Sequence, residues 1–394
     1  MTRYLISKGL LWLISLALVL FCFSIISHAQ DTLKRPAHVG FIYPLSTNGL
    51  QAPQIENGIS FHILAGVSLQ EDAFCMSGIS SIVKGNASGA IISGVYNQVG
   101  YNGKGLQLAG IANYNGHHLH GMQIAGVANI AYNVNGGQIS GISNIADSVD
   151  GIQLSGIANI AQNVDGAQVS GITNMASSSK IQVAGLANFS NHTNDVQAAG
   201  FINVADTTNT QVAGFINVAK KVKGLQLAGF INIADESDYP IAIVNIIKHG
   251  EKMIGVSYDE LGTALISFRS GGRFTYGILG VGYNFNNDAA RYVLEGGLGF
   301  HLPVGEYFLV NMELTSSALS DLKGNVYFKS GARVLAGLKL GNNIELFAGP
   351  SFNYMGYDHD QNDLKNDHYL WHEKNGEQFN GLFIGGTAGV QIRL

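Results

Sequence analysis

The chain has 394 residues, of which 51 are glycine and only 12% are charged. Ordinary soluble globular domains carry about a quarter charged residues, so this composition argues against such a domain and suits repetitive β structure or a membrane barrel. The formal charge is −5 without any basic run, which argues against a nucleic-acid partner.

At the N-terminus, Arg3 and Lys8 flank the start of an apolar run from Leu10 to Ile26, and Ser27-His28-Ala29 follows with small residues at cleavage positions. This predicts a signal peptide over residues 1–29, cut after Ala29, and an exported protein. Phe21 is too bulky to precede a lipoprotein cysteine at Cys22. Cleavage leaves 20 basic residues against 27 acidic ones, a formal −7, and one cysteine, Cys75. A single cysteine makes no internal disulfide. With no histidine or basic residue beside it, Cys75 reads as a packed thiol. Residues 30–57 read as a lead-in.

From residue 58 to 250 the chain is dominated by a repeat, Gln–apolar–Ala/Ser–Gly–apolar–x–Asn. Nine full copies begin at Gln107, Gln123, Gln138, Gln153, Gln168, Gln182, Gln197, Gln211 and Gln226, and their central glycines recur every 14 to 16 residues from Gly110 to Gly229. Weaker copies contain Gly78 and Gly94, and Pro240 to Asn245 is a glycine-less closing copy. No charged residue falls in the nine cores; charges such as Asp147, Asp150, Asp165 and Lys220-Lys221 fall in the connectors. The period is too short for helix-pair repeats, which need about 33 residues. Read as strand, Gln153, Ser155, Ile157 and Asn159 share one face, and Leu154, Gly156, Ala158 and Ile160 the other.

Such strands bury themselves in one of two ways. In a β-solenoid, one repeat per coil stacks identical residues about 4.8 Å apart, so glutamines and asparagines form amide ladders and glycine permits the bend. Val134, Val149, Val164 and Val222 recur at one connector position, as a second inward side of a coil requires. In an antiparallel meander within a large barrel, Asn135-Gly136 and Asp150-Gly151 would serve as hairpin turns. The uniform connectors favour the solenoid.

After Gly250 the pattern changes to long period-2 alternation, with 20 aromatic residues in the last 144. Val293, Glu295 and His301 oppose Tyr292, Leu294, Leu298 and Phe300; Asn311 and Glu313 oppose Met312 and Leu314. Eight strands are expected, at 252–259, 263–270, 273–285, 291–302, 306–317, 325–340, 343–356 and 379–394. Turns at Gly271-Gly272, Pro303-Val304-Gly305 and Gly341-Asn342 alternate with longer loops. This predicts an eight-stranded antiparallel barrel of outer-membrane type over 251–394, charged side chains inward. An even strand number returns the chain to its starting side, which would leave the repeat domain in the periplasm.

Phe41-Ile42-Tyr43-Pro44-Leu45-Ser46-Thr47-Asn48-Gly49, then Asn57-Gly58-Ile59-Ser60 and Leu64-Ala65-Gly66, lead into the Gln–x–Ala/Ser–Gly–x–x–Asn series. Over residues 36–250 this resembles the leptospiral-type surface-repeat family, also found in Bacteroidetes. The resemblance implies a cell-surface or outer-membrane protein. It carries no catalytic residues.

Two histidine-containing segments are candidates for metal binding. His118 and His120 alternate within His117-His118-Leu119-His120, so both could reach one divalent ion; a solvated connector is the simpler reading. The stretch 357–378 holds His359, His368 and His372 with Asp358, Asp360, Asp363, Asp367 and Glu373, again simplest as a solvated loop. No phosphate loop, nucleophile elbow or His-Glu-x-x-His motif occurs. These readings lead to a non-enzymatic, adhesin-like structural or interaction protein of the outer envelope, exported to the outer membrane or cell surface. No catalytic, cofactor or metal residues are assigned. Membrane lipid and an unidentified envelope partner are expected, with neither nucleic acid nor an identifiable small-molecule substrate. The alternative is a pore or transporter whose repeats are membrane strands.

Overall fold

The computed structural model describes residues 33–272, 274–323, 326–341, 343–358, 369–375 and 378–394. The stretch 1–29 expected to be a signal peptide falls outside them. The rest is all-β and divides into two sheets, a 23-stranded parallel stack and a nine-stranded antiparallel sheet that contains a closed eight-stranded barrel.

The stack is a β-solenoid, not a meander. Each typical coil contributes a long strand such as Ser148–Ser155 and a short one such as Ala158–Ile160. Apart from the short strand Leu45–Ser46, which folds back antiparallel on the first strand, the strands pair in parallel with their counterparts one coil away: Gln138 with Gln153, Gln153 with Gln168, Asn144 with Asn159. The stack already begins at Leu33–Ile42, which pairs in parallel with Ile55–Ser68, inside the stretch that reads as a lead-in.

The interior is narrow and made mostly of short side chains. Gln153, Asn159, Val149 and Ala161 point inward, and the glutamines and asparagines of all nine repeats are almost fully buried. Val134, Val149, Val164 and Val222 line the second inward side, as their recurrence predicted. The amides form two ladders. Gln153 Nε2 donates to Gln138 Oε1 at 2.8 Å, and each later glutamine likewise donates to the preceding coil. Asn144 Nδ2 donates to Asn159 Oδ1 at 2.9 Å, toward the following coil, and also to the carbonyls of Gln138 and Leu154. A buried amide without partners would cost several kcal/mol; stacking supplies these partners at every rung.

The strand reading needs one correction. Gln153 and Asn159 do share the inner side, but the chain turns a corner at Gly156-Ile157, so Ile157 points out. The same holds along the series Ile111, Val127, Ile142, Ile157, Ile172, Leu186, Phe201, Phe215 and Phe230, each 38–50% exposed. The amides are therefore inside and an apolar column is outside. The corner glycine is required less by its torsions than by close approach: a Cβ on Gly156 would lie 2.2 Å from the Gly141 carbonyl oxygen, and this contact recurs along the stack. A second column, Gly105 to Gly166, does adopt positive φ.

The barrel strands are Glu251–Asp259, Thr263–Gly271, Thr275–Asn284, Tyr292–Pro303, Phe308–Ser320, Val326–Leu340, Ile344–Asp358 and Gln378–Arg393. Each pairs antiparallel with its neighbour, and Glu251–Asp259 pairs with Gln378–Arg393 to close the ring. These match the expected strands within a few residues. A further strand, Tyr369–Asn375, extends the 357–378 stretch and pairs with the last barrel strand. Ile254, Val256, Ile266, Val281, Leu294, Leu314, Phe328, Phe352 and Ile384 are exposed on the outer wall, while Arg269, Glu295, Glu313, Lys329 and Arg333 are buried inside.

Candidate functional site

Three groups of polar side chains lie where function could reside. The first is on the connector face of the solenoid. His118 and His120 both point outward, flanking the buried Leu119. The parallel register continues each as a row: His118 with Asn133, Ser148 and Asn163, and His120 with Asn135, Asp150 and Asp165. The two rows line a shallow concavity of about 300 Å³. Asn133 Nδ2 lies 3.2 Å from His118 Nδ1, and Asn135 Nδ2 donates to Asp150 at 3.2 Å. Beside the rows, Tyr101 stacks on His117 at 4.6 Å and Tyr132 approaches the same ring edge-on. The alternation of His118 and His120 thus holds, but their neighbours one rung on are amides. Among the described residues, no three His, Cys, Asp or Glu side chains converge as metal ligands.

In the second histidine segment, His359, Asp360, Asp363, Asp367 and His368 lie outside the described residues. His372 stacks on Phe379 with 6.2 Å between centroids, and Glu373 accepts from Asn375.

The second group fills the barrel. Arg333 grips Glu295 through two bonds, Nη1 to Oε1 at 3.0 Å and Nη2 to Oε2 at 2.6 Å. Arg269 Nε and the Tyr276 hydroxyl both donate to Glu313 Oε1. Lys329 pairs with Asp259 at 2.5 Å. Opposite charges thus meet across the lumen, with bidentate geometry where it is strongest. The void beside them measures about 10 Å³, room for a single water.

The third group replaces the amide ladders in the first coils. His38 Nε2 lies 3.0 Å from Ser46 Oγ, His38 Nδ1 3.2 Å from His62 Nε2, and His62 Nδ1 3.2 Å from Ser77 Oγ. Alongside, Ser60 and Asn57 donate to Glu71. Burial pushes the Glu71 carboxyl up to about 7, against the hydrogen bonds it accepts. Burial, then the neighbouring His38, drives His62 down to about 4. Cys75 is buried in the same coils and donates to Ser81 at 3.3 Å; burial raises its thiol to about 12. That environment suits a packed, unreactive thiol.

No family model, curated protein or solved structure matches this chain.

The sequence pointed to the connector histidines and to the inward barrel charges. It missed the chain from Ser46 through His38 and His62, because the first coils depart from the repeat consensus and no spacing reveals which side chains meet.

Proposed function

We propose that this protein is an exported, non-enzymatic scaffold of the outer envelope. Its barrel anchors it in the outer membrane, and its solenoid offers the connector face to an envelope partner. The observation that carries the reading is the barrel's polarity. Its outer wall is apolar around the ring, while five of its charged side chains are buried and paired inside. A soluble barrel has no reason for that inversion; a lipid-facing one requires it. The resemblance to leptospiral-type surface-repeat proteins supports the same address. The packed lumen favours an anchor over a conduit.

The solenoid joins the barrel at the end that carries both chain termini of the ring and the short connections that follow Gly271, Pro303 and Leu340. In outer-membrane barrels short turns face the periplasm, so the repeat belongs on that side. Expression of the full chain tests both parts. The protein should fractionate with outer membranes, need detergent for extraction and shift in mobility on heating. Protease should cut the solenoid only after the outer membrane is permeabilised. A detergent-free soluble monomer would end the anchor reading, and cleavage on intact cells would reverse the orientation. Liposome conductance lost on deleting residues 107–235 would favour the pore instead.

A further inference from the structure

The solenoid's outer surface is unusual for a structure bathed in water. None of its nine repeat cores exposes a charge. The column that follows each corner glycine is aliphatic through Leu186 and becomes aromatic in the copies nearest the barrel. Phe201, Phe215 and Phe230 stack face to face with centroids 5.2 Å apart. Charged side chains of these coils, such as Asp206, Lys220 and Glu236, stay on the connectors, where they pair along the stack.

The junction shows what lies beside this column. The last coil packs against the barrel's outer wall. Tyr276 points into the lumen, so Thr275 and Gly277 on either side point out, yet Gly277 is buried. A Cβ on Gly277 would lie 2.1 Å from the Ile243 carbonyl oxygen. Thr275 Oγ1 donates to the Pro240 carbonyl at 2.8 Å, and Asn245, the last rung of its ladder, donates to the Ser270 carbonyl at 3.1 Å. The Phe230 column thus runs, through Ile243 one rung on, directly into the barrel wall at Gly277. On the neighbouring column Tyr239, one rung beyond Leu225, stacks on Phe274, and Phe274 on Phe300 of the barrel wall, at 6.3 and 6.2 Å.

An apolar surface this long marks a contact with something other than water. Being continuous with a lipid-facing wall, it meets the same medium. Aromatic rings concentrated at that meeting point are what a membrane interface selects, and a surface that segregates an apolar column from charged connectors is amphipathic, as a body lying in the interface plane must be. We propose that the barrel-proximal coils, residues 186–247, lie on the membrane with the Phe201–Phe215–Phe230 column in the lipid interface and their connectors in water. The ligand of this face is the lipid surface itself. The inference rests on the barrel being membrane-embedded and adds that part of the solenoid is too.

The test uses the full mature chain with Trp371→Phe, which leaves no tryptophan once the signal is removed, and one reporter at a time. Phe215→Trp reads the column, Leu314→Trp the barrel wall and Asp235→Trp a nearby connector. Each protein is reconstituted in phosphatidylethanolamine–phosphatidylglycerol vesicles with or without a dibrominated phosphatidylcholine. Emission from the column and wall reporters should fall by about twofold or more with the brominated lipid, and the connector reporter should respond only to aqueous iodide. If the wall reporter is quenched and the column reporter is not, the column lies in water or under a second copy, and the proposal fails while the anchor stands. If neither is quenched, the membrane barrel fails and the proposal falls with it.

Discussion

In the solenoid, the main interior columns hold one residue type rung after rung; in the barrel, no interior column repeats. Both halves bury polar groups and expose apolar columns, and the contrast lies in how the buried polar groups are satisfied. A stack brings identical side chains together, so its interior accepts apolar groups such as the Val134–Val149–Val164 column and, among polar groups, only those that hydrogen-bond to copies of themselves. Amides do, since each has both donor and acceptor. Carboxylates and guanidinium groups do not, because like charges a rung apart repel. The barrel has no translational repeat, so unlike charges can be brought face to face, as Arg333 and Glu295 are. The uncharged repeat cores and the charged lumen are thus two answers to one question of self-complementarity.

The largest effect should come from forcing charge into the ladder. Gln153→Glu with Gln168→Glu puts two carboxylates on adjacent rungs where Gln168 now donates to Gln153 at 2.9 Å. Hydrogen exchange should show these coils opening, by more than the two single changes together. If the double variant is as protected as wild type, the self-complementarity argument is wrong. In the barrel, Arg333→Met strands the buried Glu295 and should lower stability by about 3–5 kcal/mol, read as a lower temperature for the heat shift on gels. Arg333→Met with Glu295→Met should recover much of that loss.

Within the solenoid, the two ladders should differ. Asn159 donates to two backbone carbonyls as well as to Asn174, whereas Gln153 donates to Gln138 alone. Asn159→Leu should therefore cost about 3 kcal/mol and Gln153→Leu about 1–2 kcal/mol, measured as local exchange rates. Equal costs would show that the backbone bonds of the asparagine contribute little.

Glu71 gives a pH-dependent effect. Its folded-state value, about 7, lies above the ordinary 4.5, so the stability of its neutral form is complete below pH 4.5 and lost as pH rises through 7. The loss reaches about 3 kcal/mol. Glu71→Gln should match wild type in exchange of the first coils near pH 4.5 and exceed it at pH 8. A difference that does not grow with pH would refute the buried carboxyl. The smallest effect is expected at the surface: Ile157→Ser should change stability by no more than about 0.5 kcal/mol, because the side chain already faces outward.

Much of this fold was legible in the sequence, for reasons that can be named. Recurrence of Gln153, Gly156 and Asn159 announced a stack, because only stacking gives identical amides a common use. Alternation through Val293, Glu295 and His301 marked the barrel wall. In the solenoid the recurrence predicted amide ladders without saying which side of the coil they occupy; they can lie inside because every neighbour along the stack is another amide. Nor does alternation show a corner, so Ile157 was grouped with Asn159 although the chain turns between Ser155 and Ala158. The strand Tyr369–Asn375 was hidden by the polar sequence around it in 357–378. The connector site was partly visible, since His118 and His120 alternate, but Asn133, Asn135 and Asp150 join them only through the register of the stack.

The direction of the two ladders has a further consequence. Donors point toward the N-terminus along the glutamines and toward the C-terminus along the asparagines. Each ladder hands its last donor to a dedicated acceptor, Gln107 to Asn115 and Asn245 to Ser270. Asn97 Oδ1 and Gln226 Oε1, at the opposite ends, accept nothing among the described residues. The chemistry of termination therefore belongs to the ends and not to the number of rungs between them. A gene that duplicates or loses one whole repeat in frame changes only the length of the protein, leaving both caps and every internal bond type as they were. Reach can then drift between lineages without any new side chain having to be invented.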